Sequence, residues 1–273
     1  MGDLVTVNIA QGIADIRFNR PDKHNSLTLE MFDAINVAAA MLADNPAVRV
    51  AVLSGNGPSF CAGLDFSIMA EMLKGPAQAQ AVLERLLARD GRPDNCAQRA
   101  AVAWKNAAVP VIAALHGAAF GGGCQIALGA DMRIAAPDTR LSVMEIKYGL
   151  IPDMGLTQTL PELVRLDVAK ELTLSGRIVA AEEALKLGLI TRISADPMLA
   201  AMDIARSIAD RAPTAVRAAK RLLNEAWRAD AATGLALEER LQRTLLGSSE
   251  QLEAVTASMQ KREPNFAITG GGA

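Results

Sequence analysis

The chain has 273 residues, carries 28 Lys and Arg against 30 Asp and Glu for a net charge of −2, and is 51% hydrophobic. That composition supports a sizeable core and, with no basic block, gives nucleic-acid binding no support. No apolar run approaches the ~20 residues that span a bilayer, and the start M-G-D-L-V-T-V-N-I lacks a charged segment ahead of an apolar one, so a cytoplasmic chain is expected.

Residues 4–9 and 13–18 nearly alternate in polarity around Gln11-Gly12, which predicts a hairpin. Arg20-Pro21-Asp22-Lys23 breaks the pattern. Leu27, Met31, Ile35, Ala38 and Leu42 then share one helical face, with Thr28 as N-cap. Residues 48–53 read as a strand, followed by the loop Ser54-Gly55-Asn56-Gly57-Pro58 and by F-C-A-G-L-D at 60–65. Helical segments are predicted at 68–73, 77–88 and 97–104, separated by Gly75-Pro76 and by the 90–94 loop.

Residues 109–131 read V-P-V-I-A-A-L-H-G-A-A-F-G-G-G-C-Q-I-A-L-G-A-D. They predict a buried strand over 111–115, a turn, a triple glycine and a short apolar helix. Gly121, Gly122 and Gly123 lack Cβ atoms, so backbone N–H groups there can approach a ligand that bears negative charge. A plain flexible turn is the competing reading. Another strand is predicted over 131–135. Residues 141–160 carry Gly149, Pro152 and Gly155 among short apolar runs and read as an ordered, functional loop. Helices at 167–174, 180–187, 197–211, 214–229, 233–246 and 248–261 complete the chain. Strands alternating with helices, then helices alone, point to an α/β fold with a helical C-terminal part. The Gly270-Gly271-Gly272-Ala273 end reads as a frayed tail.

Cys61, Cys96 and Cys124 have no zinc or disulfide spacing. His24 and His116 have no Ser or Cys partner at motif spacing, so a hydrolase triad is not indicated.

Five ordered blocks carry a resemblance. They are N-R-P-D-K-H-N-S-L at 19–27, V-R-V-A-V-L-S-G-N-G-P-S-F-C-A-G-L-D at 48–65, the 109–131 stretch, M-E-I-K-Y-G-L-I-P-D-M-G at 144–155, and L-T-L-S-G-R-I-V-A-A-E-E-A-L-K-L-G-L-I at 172–190. Over residues 4–266 the chain resembles the crotonase, or enoyl-CoA hydratase/isomerase, family. The resemblance implies a spiral of ββα units over 1–195 that holds the active site. It also implies a helical oligomerisation region over 196–266, with 267–273 as a tail. It further implies a homotrimer or a hexamer of two trimers. The implied substrate is an acyl-CoA thioester, with coenzyme A as part of that substrate and no separate cofactor or metal. The backbone N–H groups of Leu64 and Gly122 would form an oxyanion hole. Lys23, His24, Ser26 and Ala62 lie where the family holds the adenine and pantetheine. Lys261 matches a lysine that reaches the CoA phosphate, often across a subunit boundary. The family's nearby aromatic is replaced by Ser258.

The reaction is less uniform in its signals. A typical hydratase of the family holds water between two glutamates. The second is present as Glu145, but the first is replaced by Gln125, which can hold a water and cannot exchange a proton near neutral pH. Apolar neighbours of Glu145 suit a raised pKa and an acid/base role. Asp153 stands where most hydratases carry glycine and where the dienoyl-CoA isomerase branch carries aspartate. Its competing reading is the N-cap of a helix over 154–160. These residues favour double-bond isomerisation by a Glu145/Asp153 proton relay. The alternatives are hydration, with Glu145 and Gln125 holding the water, and a non-catalytic acyl-CoA-binding protein.

Overall fold

The hairpin forms where the alternation places it. β1 (Val5–Ala10) pairs antiparallel with β2 (Ile13–Phe18), with Ala10 opposite Ile13. Gln11 and Gly12 sit at φ +52° and +77°, the left-handed pair that a tight two-residue turn requires. The computed structural model describes residues 3–266, so the 267–273 tail lies outside the described residues.

α1 (Leu29–Asp44) starts at Thr28, whose side chain accepts from the Met31 N–H at 3.2 Å. Its face of Met31, Ile35 and Leu42 is buried, as the spacing requires. There follow β3 (Val50–Gly55), α2 (Phe66–Met72), α3 (Pro76–Leu86), α4 (Cys96–Asn106) and β4 (Val111–Leu115). The chain continues through β5 (Ala118–Phe120), α5 (Gly122–Leu128), β6 (Met132–Ala135), β7 (Arg140–Ser142), α6 (Leu156–Thr159), α7 (Leu166–Ser175), β8 (Val179–Ala180), α8 (Ala181–Leu187) and β9 (Arg192–Ile193). The last helices are α9 (Pro197–Ala209), α10 (Pro213–Ala226), α11 (Ala231–Leu245) and α12 (Ser249–Gln260).

The main sheet has the order β1-β2-β3-β4-β6-β9 and is parallel from β2 onward. Its central strands are buried on both faces. Ala51, Leu53, Val111, Ala113 and Leu115 face the large core with α1, α4 and α5. Val50, Val52, Ile112 and Ala114 face the other way, against Ala201, Ala205 and Ala209 of α9. Small alanines on α9 let that helix lie close to the sheet, which a run of continuous apolar strands demands.

A second sheet, β5-β7-β8, stands beside the first. None of its strands was predicted from the residues, and β9 was also missed. Each is two or three residues long, too short to show a period of two. β5 therefore intervenes where a plain turn was expected between the apolar strand and the triple glycine. The 154–160 helix is shorter than expected. α6 begins after Gly155, which occupies the N-cap position with no side-chain cap, so Asp153 is not a cap.

The 195 boundary does not mark the edge of the packed core, because α9 belongs to it. α10 is joined to the core by a buried lysine. Lys220 Nζ reaches Asp131 Oδ2 at 2.8 Å and donates to the carbonyls of Trp104 and Val109. The rest of α10–α12 and their ends leave Trp227, Leu235, Leu246 and Met259 exposed.

Candidate active site

The site starts in the loop after β2. Arg20 Nη1 donates to the Ser26 carbonyl at 2.5 Å and to Asp65 Oδ2 at 3.0 Å, and Ser26 Oγ donates to the same oxygen at 2.7 Å. Burial opposes the charge on Asp65. Hydrogen bonds from Ser26, Ser67 and Arg20 outweigh it and hold the carboxyl well below the usual carboxylate range. This clamp joins two of the sequence blocks across 45 residues. Sequence reading missed it, since a pairing so distant along the chain leaves no local signal. Asn25, fully buried, adds bonds to the carbonyls of Asn56 and Ser59.

Leu27 N donates to the Gly63 carbonyl, and Asp65 N donates to the Leu27 carbonyl. These bonds bracket Leu64 and turn its own N–H away from Leu27. On the other side, Cys61 N donates to the Ala118 carbonyl and Phe120 N donates to the Cys61 carbonyl. β5 thus carries the 60–65 segment directly to Gly121, which sits at φ +51° and leads into α5.

The approach tolerates no side chain. A Cβ on Gly123 would lie 2.3 Å from the Cys61 carbonyl oxygen, and one on Gly63 would lie 2.7 Å from the Phe120 oxygen. Among the described residues, neither the Leu64 N–H nor the Gly122 N–H donates to a protein acceptor, and both residues line one cavity. α5 has only seven residues, so what this corner offers is individual free N–H donors rather than a long helix dipole.

The cavity opens toward α2, α3 and α4. Met69, Met72, Leu83, Leu86 and Ala97 form its apolar wall. Phe66 and Tyr148 meet edge to face over it, with ring centroids 6.0 Å apart. Its charged lining residues are Glu145 and Asp153.

Glu145 begins a short 3-10 turn, Glu145–Tyr148. Its Oε1 accepts from Gln125 Nε2 at 2.6 Å, whereas Oε2 is buried with no partner. Burial pushes the Glu145 pKa up. Bonds from its own backbone N–H and from Gln125 oppose that rise, and the nearby charge of Asp153 adds to it. Solvent reaches the Asp153 side chain, yet the surrounding walls desolvate its carboxyl enough to raise its pKa too. Two carboxylates of raised pKa therefore share one cavity with two free N–H donors.

Gln125 is placed differently from expectation. It is 1% exposed and does not line the cavity. Its Oε1 accepts from the Met154 N–H at 2.9 Å while its Nε2 serves Glu145. The amide is engaged at both ends, so Gln125 is not a water-holding group facing the substrate space.

The other expected residues separate into two sets. Ala62 lines the cavity and its N–H donates to the His24 carbonyl. Ser26 supports the clamp. His24 is exposed and its Nδ1 lies 3.0 Å from Ser59 Oγ. Lys23 is exposed at the end of a 3-10 turn, and Lys261 is exposed as the left-handed C-cap of α12. Neither lysine lines the cavity within one chain. Burial pushes the Cys61 and Cys124 thiols up to about 12, which rules out a ready thiolate. Among the described residues no cluster of His, Cys, Asp and Glu could hold a metal ion.

Comparisons with known proteins agree in one direction. The family model described as enoyl-CoA hydratase/isomerase matches residues 8–268. The short-chain-enoyl-CoA hydratase of Clostridium acetobutylicum is 32% identical over 92% of this chain and 92% of its own. The peroxisomal Delta(3,5)-Delta(2,4)-dienoyl-CoA isomerase of Arabidopsis thaliana is 30% identical over 97% of this chain and 96% of its own. The crystal structure of an enoyl-CoA hydratase from Bacillus anthracis superposes with a TM-score of 0.86 at 30% identity, covering 96% of this chain and 98% of that one.

Proposed function

The chain is an enzyme of the enoyl-CoA hydratase/isomerase family, and on that premise we propose that it moves double bonds in an enoyl- or dienoyl-CoA thioester by a two-carboxylate proton relay. The observation that carries this reading is the pairing of Glu145 with Asp153. Both line the cavity that holds the Leu64 and Gly122 N–H groups, and both pKa values are raised by burial.

The thioester carbonyl oxygen sits between the two N–H donors. One carboxylate removes a proton from the carbon next to the carbonyl, the freed electron pair forms a C=C bond to the carbonyl carbon, and the C=O π pair moves onto the oxygen. The resulting oxyanion is stabilised by roughly 3 kcal/mol per donor. The second carboxyl, acting in its acid form, returns a proton at the far end of the conjugated chain, which leaves the two carboxyls with their protonation states exchanged. Nothing is added and nothing is lost. The apolar wall of Met69, Met72, Leu83 and Leu86 receives the acyl chain and excludes water from the enolate.

Hydration is the second reading. It is favoured by the names of several relatives and by the unpartnered Oε2 of Glu145, which can hold a water. The engaged amide of Gln125 weighs against it. The backbone around Lys23, His24, Ser26 and Ala62 serves the CoA side, and Lys261 reaches CoA phosphate from a neighbouring subunit. The exposed apolar residues of α10–α12 support a trimer, or a hexamer of two trimers. The deciding experiment incubates the enzyme with crotonyl-CoA and with a 3,5-dienoyl-CoA and follows the products by mass and ultraviolet absorbance. Isomerisation leaves the mass unchanged and shifts the diene absorbance. A gain of one water with no isomer would reverse the order of the two readings. Asp153→Asn separates them further: it removes isomerisation and leaves CoA-ester binding intact.

A further inference from the structure

Gln125 is a buried side chain that joins two different segments of the active site. From α5 its Nε2 donates to Glu145 Oε1, and its Oε1 accepts from Met154 N, the peptide N–H that directly follows Asp153. We infer that Gln125 is the positioning residue for the carboxylate pair, fixing where Glu145 and Asp153 stand relative to each other and leaving Glu145 Oε2 as the oxygen that carries the proton. The inference rests on the acid/base reading above.

The orientation of the amide follows from its partners. The Met154 N–H can only donate, so the atom facing it must be the amide oxygen. Nε2 then faces Glu145. An oxygen that constantly meets an N–H donor is held as an acceptor, and an O–H group there would clash with that donor. When Glu145 is neutral, its proton resides on Oε2. Oε2 is buried and has no protein hydrogen-bond partner, so it is the oxygen that no group of the chain already engages.

The titrating surroundings of Glu145 are few. Asp153 faces it from the loop before α6, and Cys124 faces it from α5 as a thiol that burial keeps neutral. Tyr148 stands on its own turn and lines the same cavity. Among the described residues no cation pairs with Glu145. The Gln125 amide is therefore the side-chain donor that favours the ionised form, and its removal raises the pH at which Glu145 becomes a base.

The test compares Gln125→Met, Gln125→Glu and Glu145→Gln in the full-length enzyme. kcat and kcat/KM are measured against pH, and the Glu145 carboxyl is titrated by 13C NMR without substrate. Gln125→Met keeps the size and removes both bonds. Its kcat falls roughly tenfold to a hundredfold with a smaller change in KM, as expected for a misplaced group. The acid limb of its profile and the NMR titration both move to higher pH. Gln125→Glu restores the donor and acceptor pattern only while the new carboxyl is protonated. Its kcat recovers on the acid side and drops as the second carboxylate ionises. The isosteric Gln125→Glu carries the test if Gln125→Met does not fold. An unmoved pH profile and an unmoved NMR titration in Gln125→Met, with Glu145→Gln inactive, overturn the positioning role. Full activity in Glu145→Gln instead overturns the underlying acid/base reading.

Discussion

Gly123→Ala tests how the two N–H donors are brought together. Gly123 is not itself a donor of the pair, and its side-chain space is filled by a different segment. A Cβ there would lie 2.3 Å from the Cys61 carbonyl oxygen and 2.7 Å from the Cys61 Cβ, against 3.4 Å for ordinary contact. The intruding atom meets backbone, and that carbonyl is held by the Phe120 N–H at 3.0 Å. Relief therefore requires α5 and the 60–65 segment to separate by about 1 Å. That movement opens the distance between Gly122 N and Leu64 N, and a misplacement of this size costs roughly 10² in rate. Losing one donor completely would cost about 10²–10³. Gly123→Ala is thus expected to lower kcat about a hundredfold with a moderate loss in Tm. Gly122→Ala makes the comparison. Its Cβ meets the Met154 sulfur at 2.7 Å and a Leu27 methyl at 2.8 Å, which are side-chain ends that can give way, so its kcat falls less. The assay is steady-state turnover per folded molecule, with circular dichroism and a thermal melt taken on the same samples. A well-folded Gly123→Ala enzyme with kcat within twofold of the parent would refute the reasoning.

Glu145→Gln should reduce turnover by roughly 10²–10⁴, the usual contribution of a general base. It should also stabilise the protein near neutral pH. Burial raises the Glu145 pKa in the fold, so its favourable contribution is present below its unfolded value of about 4.3 and is lost as pH rises through the folded value. Melting curves at about pH 4 and pH 8 check the sign: the Tm advantage of the variant must grow at the higher pH. Lys220→Met leaves Asp131 without its ion partner, and the loss is about 3 kcal/mol, the low end for a buried pair because Asp131 keeps some solvent contact. Urea unfolding measures it, and a loss below about 1 kcal/mol contradicts the buried-pair account. A thiol reagent at about pH 8 should modify Cys96 in the folded chain, while Cys61 and Cys124 wait for unfolding because burial holds their pKa values at about 12. Fast modification of either buried cysteine would show that the core around the site opens readily.

Local chemistry made part of this protein legible from its residues. Gln11-Gly12 can adopt the left-handed turn, Thr28 can cap, and Val111–Leu115 is apolar enough for burial on both faces, so those elements stand where they were predicted. The five spaced blocks named the family, and they marked Leu64, Gly122, Glu145 and Asp153, which the fold gathers around one cavity. The rest depended on pairings between residues far apart. β5 and β7 are three residues each and exist because they pair with one another. Asp153 could have capped a helix, but Gly155 holds the N-cap position of α6 and leaves the carboxylate free to line the cavity. Gln125 could have faced a water. Its donors and acceptors were plain from its residue type, and their targets were not. The tertiary structure buries it between Glu145 and Met154, where an amide must satisfy both neighbours. Sequence thus determined which groups could do chemistry, since that follows from covalent structure. Only the fold decided which of them meet solvent, substrate space or each other, because burial and hydrogen-bond geometry are properties of the packed chain.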